Sequence, residues 1–253
     1  MHNIIDRRGF YSEFLDDEPT TLDIEADVNI SGSFGFSGSF SINCTKNLIY
    51  VDLDGNDITG DGTFTSPYRT IAKAVQIVSA SVPTLLSSWG IHVGAGTFIA
   101  TEITLPPYTG IYGVGTGTTK VQIGASGSKL FNLGTRNRVE RMTLTGISTG
   151  SSTMGLCSIS SDISYIDAPR VFDLVVRDFT TGVHVASGSS MACYDIRAWD
   201  NQFGFVSDEG NMFDTYNCQA YQLANPNASG TIGVKITGAD RTLNWAYLFA
   251  FNT

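Results

Sequence analysis

The chain has 253 residues, of which 42% are hydrophobic and only 15% are charged, and it contains 27 glycines. Turns and small residues thus take the place of surface charge, which favours a β architecture. The net charge of −9 argues against a nucleic-acid or anionic membrane partner, because both attract clusters of Lys and Arg. No apolar run approaches the length of a membrane span, so membrane insertion is not expected.

The cysteines are widely spaced at Cys44, Cys157, Cys193 and Cys218. They form neither the close pairs of a zinc site nor a disulfide scaffold, so we expect reduced, buried thiols and predict no metal site and no cofactor. The first residues, MHNIIDRRGF, contain a basic pair that no apolar segment follows. We therefore expect synthesis without a secretion signal.

Alternating apolar residues fill the N-terminal segment from Leu22 to Cys44. This period of two is typical of a β-strand, yet a straight run would extend roughly 70 Å at about 3.3 Å per residue. Either the chain turns back at its glycines to form hairpins, or it stays extended and pairs with copies of itself. We predict that residues 1–46 form an extended anchor that makes a homotrimer. A few ordinary strands packed on the next domain are the alternative.

A strand, a turn-rich stretch and a helix are predicted next. Residues 47–53, NLIYVDL, have strand character, and the following DGNDITGDG is rich in turn residues. Ser66 is a suitable N-cap and Pro67 suits the first helical position. Apolar residues then recur at helical spacing at Ile71, Ala74, Val75 and Val78.

Residues 50–75 resemble the entry segment of pectin-lyase-like right-handed parallel β-helix proteins. The matching residues are Val51, Gly55, Asp57, Gly62, Thr63, Pro67, Thr70, Ile71 and Ala74. The resemblance implies an all-β fold over residues 47–253, a single-stranded parallel β-helix whose open end is covered by a capping helix. It implies little about chemistry, because this fold carries lyases, hydrolases, epimerases and non-catalytic viral spikes.

The stretch DLDGND also admits a calcium-binding interpretation. Asp52, Asp54 and Asn56 match the first ligands of an EF-hand loop. However, Asp57 stands where that loop needs glycine, and Thr63 stands where it needs a bidentate glutamate. We therefore interpret the stretch as a structural turn.

A 22-residue repeat supports the solenoid in the second half of the chain. It relates Phe172 to Tyr194 and Tyr216, Leu174 to Ile196 and Cys218, and Val176 to Ala198 and Ala220. Alternation predicts that Phe172, Leu174 and Val176 point inward, whereas Arg177 points outward. The repeat is interrupted at SSTMGLCSISSDISYIDA, which we predict to be a protruding loop.

Two candidate sites follow from this repeat. Arg177, Trp199 and Tyr221 would lie in register on the outside, as a platform for a glycan or receptor or as a contact between subunits. Asp178 and Asp200 would lie one rung apart, which makes them the best candidate catalytic pair, although turns after strands often contain solvated aspartates. His184 has no predicted catalytic partner, so we interpret it as a packed or surface imidazole.

These observations together predict a non-catalytic structural component of a virus or phage particle. The segment DVNISGSFGFSGSFSI resembles repeats in the shafts of viral and phage fibres, and the whole chain resembles fibre, spike or capsid-associated proteins. That resemblance implies a location in the virion, other virion proteins as partners and a host-surface glycan as a candidate ligand. The alternative is a polysaccharide-degrading or glycan-modifying enzyme, a lyase or hydrolase, on the same fold. A glycan-binding module without turnover is the third hypothesis.

Overall fold

The computed structural model describes residues 2–6, 9–13, 47–147, 152–159, 167–209, 212–222, 232–237, 243–246 and 249–252. The chain divides into two compact units, Met1–Ile42 and Asn43–Thr253. In the first unit, strands β1 (His2–Asp6) and β2 (Gly9–Glu13) pair antiparallel. The alternating segment from Leu22 to Cys44 lies outside the described residues. The predicted boundary at residue 46 and the predicted anchor therefore stay predictions.

The second unit is built almost entirely from short strands. Its elements among the described residues are β3 (Leu48–Val51), α1 (Ile71–Ala80), β4 (Trp89–Val93), β5 (Gly96–Ala100), β6 (Ile103–Thr104), β7 (Thr109–Gly113), β8 (Thr119–Ile123), β9 (Lys129–Leu133), β10 (Arg138–Thr145), β11 (Met154–Ser158), β12 (Arg170–Arg177), β13 (Thr181–Val185), β14 (Ser190–Trp199), β15 (Phe203–Asp208), β16 (Met212–Tyr216), β17 (Gln219–Gln222), β18 (Ile232–Thr237), β19 (Leu243–Ala246) and β20 (Phe249–Asn252). No helix in this part of the chain is long and apolar enough to cross a membrane.

The strands form two parallel sheets that the chain visits in turn. The first sheet has the order β19-β16-β14-β12-β10-β7-β4-β3, with β5, β8, β17 and β20 attached. The second sheet has the order β18-β15-β13-β11-β9-β6. Each circuit of the chain, for example β12 to β13 to β14, adds one rung to both sheets. This connectivity is a parallel β-helix.

The first sheet bends at a column of residues in the left-handed backbone conformation. Arg141, Asp173, Asp195 and Asn217 have φ values of 53°, 44°, 56° and 52°. They stand one above another, because the residues on either side of them pair in register. The bend therefore divides the first sheet into two halves that face different directions.

The bend also changes which side chains point inward. Leu174 and Val176 are fully buried, as predicted. The prediction for Phe172 is wrong, because the turn at Asp173 shifts the alternation and leaves Phe172 outside the core. Its ring stacks on Tyr194 with centroids 4.7 Å apart, and the Arg138 guanidinium carbon lies 4.5 Å from its centroid.

The helix covers the first rungs of the solenoid, as predicted. It buries Ile71, Ala74 and Val78. Its N-cap is Thr70, whose hydroxyl accepts from the Lys73 amide at 3.1 Å. Asp57 holds this cap by accepting from the Thr70 hydroxyl at 2.7 Å. Partial burial acts to raise the Asp57 pKa, but hydrogen bonds from Thr70 and Arg69 outweigh it and hold that pKa below its ordinary value.

Residues 62–68 cover the outer edge of β3. The Tyr50 amide donates to the Gly62 carbonyl at 2.8 Å, and the Tyr68 amide donates to the Tyr50 carbonyl at 3.0 Å. Ser66 lies in this covering segment, where its amide donates to the Thr63 carbonyl. The prediction that Ser66 caps the helix is therefore wrong, because the chain pairs with β3 before the helix begins.

The turn at residues 52–59 satisfies its own backbone. Asp52 Oδ1 accepts from the Asp54 amide at 3.1 Å, and Asn56 Oδ1 accepts from the amides of Ile58 and Thr59 at 2.8 and 3.1 Å. These contacts support the structural interpretation of the turn.

Part of the predicted protruding loop at residues 151–168 is a strand, β11, whereas residues 160–166 lie outside the described residues. β11 pairs with β9 on one side and β13 on the other. Gly155 allows this strand to enter the stack, because a Cβ there would lie only 2.6 Å from the Gly182 carbonyl oxygen. The same contact repeats on the next rungs, at 2.8 Å from Gly182 to Gly204 and at 2.6 Å from Gly204 to Gly233. These residues form a glycine ladder along the second sheet.

We expect Gly182→Ala to destabilise the protein by about 1–3 kcal/mol, because the new methyl group would overlap the neighbouring rung. Gly117→Ala is the matched control, since a Cβ at Gly117 meets nothing within 4 Å. That control should change stability by less than about 0.5 kcal/mol. Urea unfolding followed by circular dichroism measures both variants. Equal midpoints for the two variants would contradict the close packing of the ladder.

Candidate functional site

The second half of the first sheet presents two columns of outward side chains, which we call the cleft face. The strand registers align one column of Thr97, Lys120, Thr143, Val175, Arg197 and Gln219. They align a second column of Ile99, Gln122, Thr145, Arg177, Trp199 and Tyr221. Arg177, Trp199 and Tyr221 therefore lie on consecutive rungs.

An open cleft of about 530 Å³ runs across this face. Its lining includes three cations, Lys120, Arg177 and Arg197, and one carboxylate, that of Asp178. The lining thus has a surplus of two positive charges (three minus one), although the whole chain has a net charge of −9. Thr143 and Val175 also line it and are each only 6% exposed. The cleft is therefore locally cationic on an acidic protein.

The aromatic end of the cleft face consists of Trp199 and Tyr221. Their ring centroids lie 5.1 Å apart at an angle of 47°, and both side chains are half-buried. Burial raises the pKa of the Tyr221 phenol, so it stays protonated as a hydrogen-bond donor at neutral pH. An apolar body with a polar edge suits contact with a ligand that has both apolar and hydroxyl surfaces.

Arg197 contacts residues on several sides of the cleft. Its guanidinium donates to Asp173 Oδ1 at 3.3 Å and to Thr116 Oγ1 at 3.4 Å. The guanidinium carbon also lies 5.8 Å from the Trp199 ring centroid, within the range of a cation–π contact. Arg197 therefore contacts both the Trp199 indole and Thr116, which also lines the cleft.

The two candidate catalytic acids share one partner at the edge of the cleft. Arg177 Nε donates to Asp178 Oδ2 at 2.8 Å, and its Nη2 lies 3.8 Å from Asp200 Oδ2. Both aspartates occupy left-handed turn conformations after their strands, with φ values of 63° and 52°. Only 8% of the Asp200 side chain is exposed, compared with 31% for Asp178. The structure therefore brings the pair together around a guanidinium.

His184, which the sequence analysis interpreted as a packed or surface imidazole, lies on the second sheet. It contacts Asp208 and Cys157, so its environment contains a carboxylate that the sequence reasoning missed. Asp208 lies one 22-residue period and two positions beyond His184, a relation that the repeat could have revealed. Lys120 was not predicted from the sequence, and Arg197 was expected to point outward but was not included in the candidate site. Strand alternation places Arg197 on the same face as Trp199, because it lies two residues before it.

Comparisons with known proteins concern the fold. No protein-family model and no curated protein sequence matches this chain. A pectin methylesterase in complex with a hexasaccharide aligns over 79% of this chain and 68% of its own, at 12% identity and a TM-score of 0.51. Pectate lyase Pel9A aligns over 75% of this chain and 57% of its own, at 15% identity and a TM-score of 0.44.

A viral protein is also similar. ORF18 of Geobacillus virus E2 aligns over 78% of this chain and 48% of its own, at 14% identity and a TM-score of 0.43. The parallel sheets and the similarity to the pectin methylesterase confirm the predicted architecture. This chain has a right-handed parallel β-helix fold, like that of the pectin methylesterase.

Proposed function

We propose that this protein is a non-catalytic structural component of a virus or phage particle, such as a fibre, spike or capsid-associated protein, that attaches to a glycan through its cleft face. The observation that carries the proposal is the alignment of Arg177, Trp199 and Tyr221 on consecutive rungs beside the cleft. Neighbouring rungs are about 4.8 Å apart. Successive units of an extended chain can therefore meet successive side chains.

The chemistry of the cleft face suits carbohydrate. Aromatic rings pack against the apolar faces of sugar rings, while Gln122, Thr145 and Arg177 offer hydrogen bonds to hydroxyl groups. The cleft is open to solvent, so it favours a long ligand that is bound along its surface over a small enclosed one.

The state of the two acids supports binding without turnover. Arg177 contacts both carboxylates, and Asp200 is largely buried. A carboxylate that acts as nucleophile or proton donor must reach the substrate in the reactive geometry. The contacts of Asp178 and Asp200 suit them instead to hold Arg177 in place below the aromatic end of the cleft.

We expect Trp199→Ala to weaken glycan binding by at least about tenfold, because it removes the largest ring of the cleft face. The assay is isothermal titration calorimetry of the full chain with oligosaccharides that bind the unmodified protein on a glycan array. Tyr216→Ala is the matched control, since Tyr216 is a 50% exposed aromatic on the first sheet before the bend. Equal affinities of the two variants, or an array without saturable binding, would refute the attachment role.

The proposal includes a homotrimer that assembles with other virion proteins. It rests on the alternating sequence from Leu22 to Cys44, which suits pairing between chains. Light scattering of the full chain should give three times the 27.2 kDa monomer mass, and the protein should co-purify with particles. A monomer at micromolar concentration would contradict the trimer.

A glycan-modifying enzyme is the second candidate function. It is favoured by one observation, the convergence of Asp178 and Asp200 on Arg177 beside the cleft. If this candidate is correct, incubation with bound oligosaccharides should release reducing ends or unsaturated products. Asp200→Asn should then abolish product release while glycan binding persists. Intact oligosaccharides after incubation with the unmodified protein would exclude this function and favour attachment.

A further inference from the structure

A cysteine, a histidine and an aspartate form a connected set on the second sheet, away from the cleft face. Cys157 on β11 pairs in register with His184 on β13, and Asp208 ends the next strand, β15. Cys157 Sγ lies 3.5 Å from His184 Nδ1, and His184 Nε2 lies 2.8 Å from Asp208 Oδ2. We propose that this set is an acyl-accepting thiol site, in which His184 takes the proton of Cys157 while a small thioester acylates the sulfur.

Asp208 determines which ring nitrogen of His184 carries the proton and which one can act as a base toward the sulfur. The Thr237 hydroxyl donates to Asp208 and lowers the pKa of that carboxyl; partial burial opposes the shift, and His184 adds to it. Asp208 is therefore an ionised acceptor at neutral pH, so in the neutral form of the imidazole the proton lies on Nε2. Nδ1 is then left with a free lone pair directed at the Cys157 thiol.

The thiol remains protonated until it reacts. Burial raises the pKa of Cys157, and the nearby Lys129 offsets this effect only in part. The S–H group can donate to His184 Nδ1 at 3.5 Å or to the Ser158 carbonyl at 3.8 Å. His184 therefore acts as a general base during attack, which is the arrangement of a nucleophile with an oriented base.

Burial of the thiol and of the imidazole favours a small acyl group over a large one. Cys157 has no exposed surface and only 12% of the His184 side chain is exposed. Lys129 also hydrogen-bonds to the sulfur. Its side chain is long and flexible, so it can move aside and leave its ammonium group beside the oxygen that gains negative charge.

The reaction is an exchange of thioesters. The Cys157 sulfur attacks the carbonyl carbon, its proton passes to His184 Nδ1, and a new S–C bond forms. The C–S bond of the donor then breaks, and the leaving thiolate takes the proton from His184. The products are an acylated Cys157 and a free thiol, so the exchange needs neither oxidant nor reductant.

The test treats the full chain with the acetyl thioester of N-acetylcysteamine and follows each cysteine by mass spectrometry of its peptides. Cys157 should gain an acetyl group at least about tenfold faster than Cys193 and Cys218. Those two thiols are equally buried, and Cys218 donates to backbone carbonyls instead of an imidazole. Equal rates for the three cysteines, or no acetylation of Cys157, would overturn the proposal.

His184→Gln should slow acetylation of Cys157 at least about tenfold, because general-base catalysis contributes about 10² to 10⁴. Asp208→Asn, which alters a positioning residue, should slow it less. Cys193 and Cys218 should stay unreactive in both variants, which distinguishes loss of the base from loosening of the fold. An unchanged Cys157 rate in His184→Gln would refute the role of the imidazole.

Discussion

The column of left-handed residues in the first sheet is the constraint on which its surfaces depend. Each rung bends at the same point because Arg141, Asp173, Asp195 and Asn217 stack. The stack has its own contacts, including a hydrogen bond of 2.6 Å from Asn217 Nδ2 to Asp195 Oδ1. The bend turns one continuous sheet into two faces and fixes the residues that each face presents.

The two halves use aromatic side chains differently. Before the bend, Phe172 is enclosed between Tyr194 and Arg138, so both of its ring faces are occupied within the protein. Beyond the bend, Trp199 and Tyr221 are tilted against each other at the end of the cleft. The first arrangement stabilises neighbouring rungs, while the second leaves ring surface available to a ligand. Alignment of aromatic side chains on consecutive rungs therefore does not by itself identify a binding platform, because the ring faces must also be accessible.

The sequence predicted the rung period better than the content of each rung. The 22-residue spacing aligned Arg177, Trp199 and Tyr221, because regular stacking repeats both alternation and turns. It could not show the backbone conformation at Asp173, since aspartate is equally common in ordinary turns. The inward direction predicted for Phe172 failed for this reason.

The strand β11 within the predicted loop was missed for a related reason. Its residues are small and polar like those of a loop, yet Gly155 is needed where two rungs approach closely. The residues of the candidate site were predicted only in the part of the chain that follows the 22-residue repeat. Lys120 precedes the regular repeat, and the partners of His184 come from rungs of unequal length. Such contacts depend on how strands of different rungs align, which one sequence does not specify.

The covered edge of β3 closes one end of the first sheet to further strands. A parallel sheet normally ends in a row of free amides and carbonyls that can recruit another strand. Here Tyr50 and Asp52 already exchange hydrogen bonds with Gly62 and Tyr68, and the helix lies over the adjoining core. Fibril growth by strand addition is therefore blocked at this end of the first sheet, so copies of the protein that meet there cannot polymerise through β3.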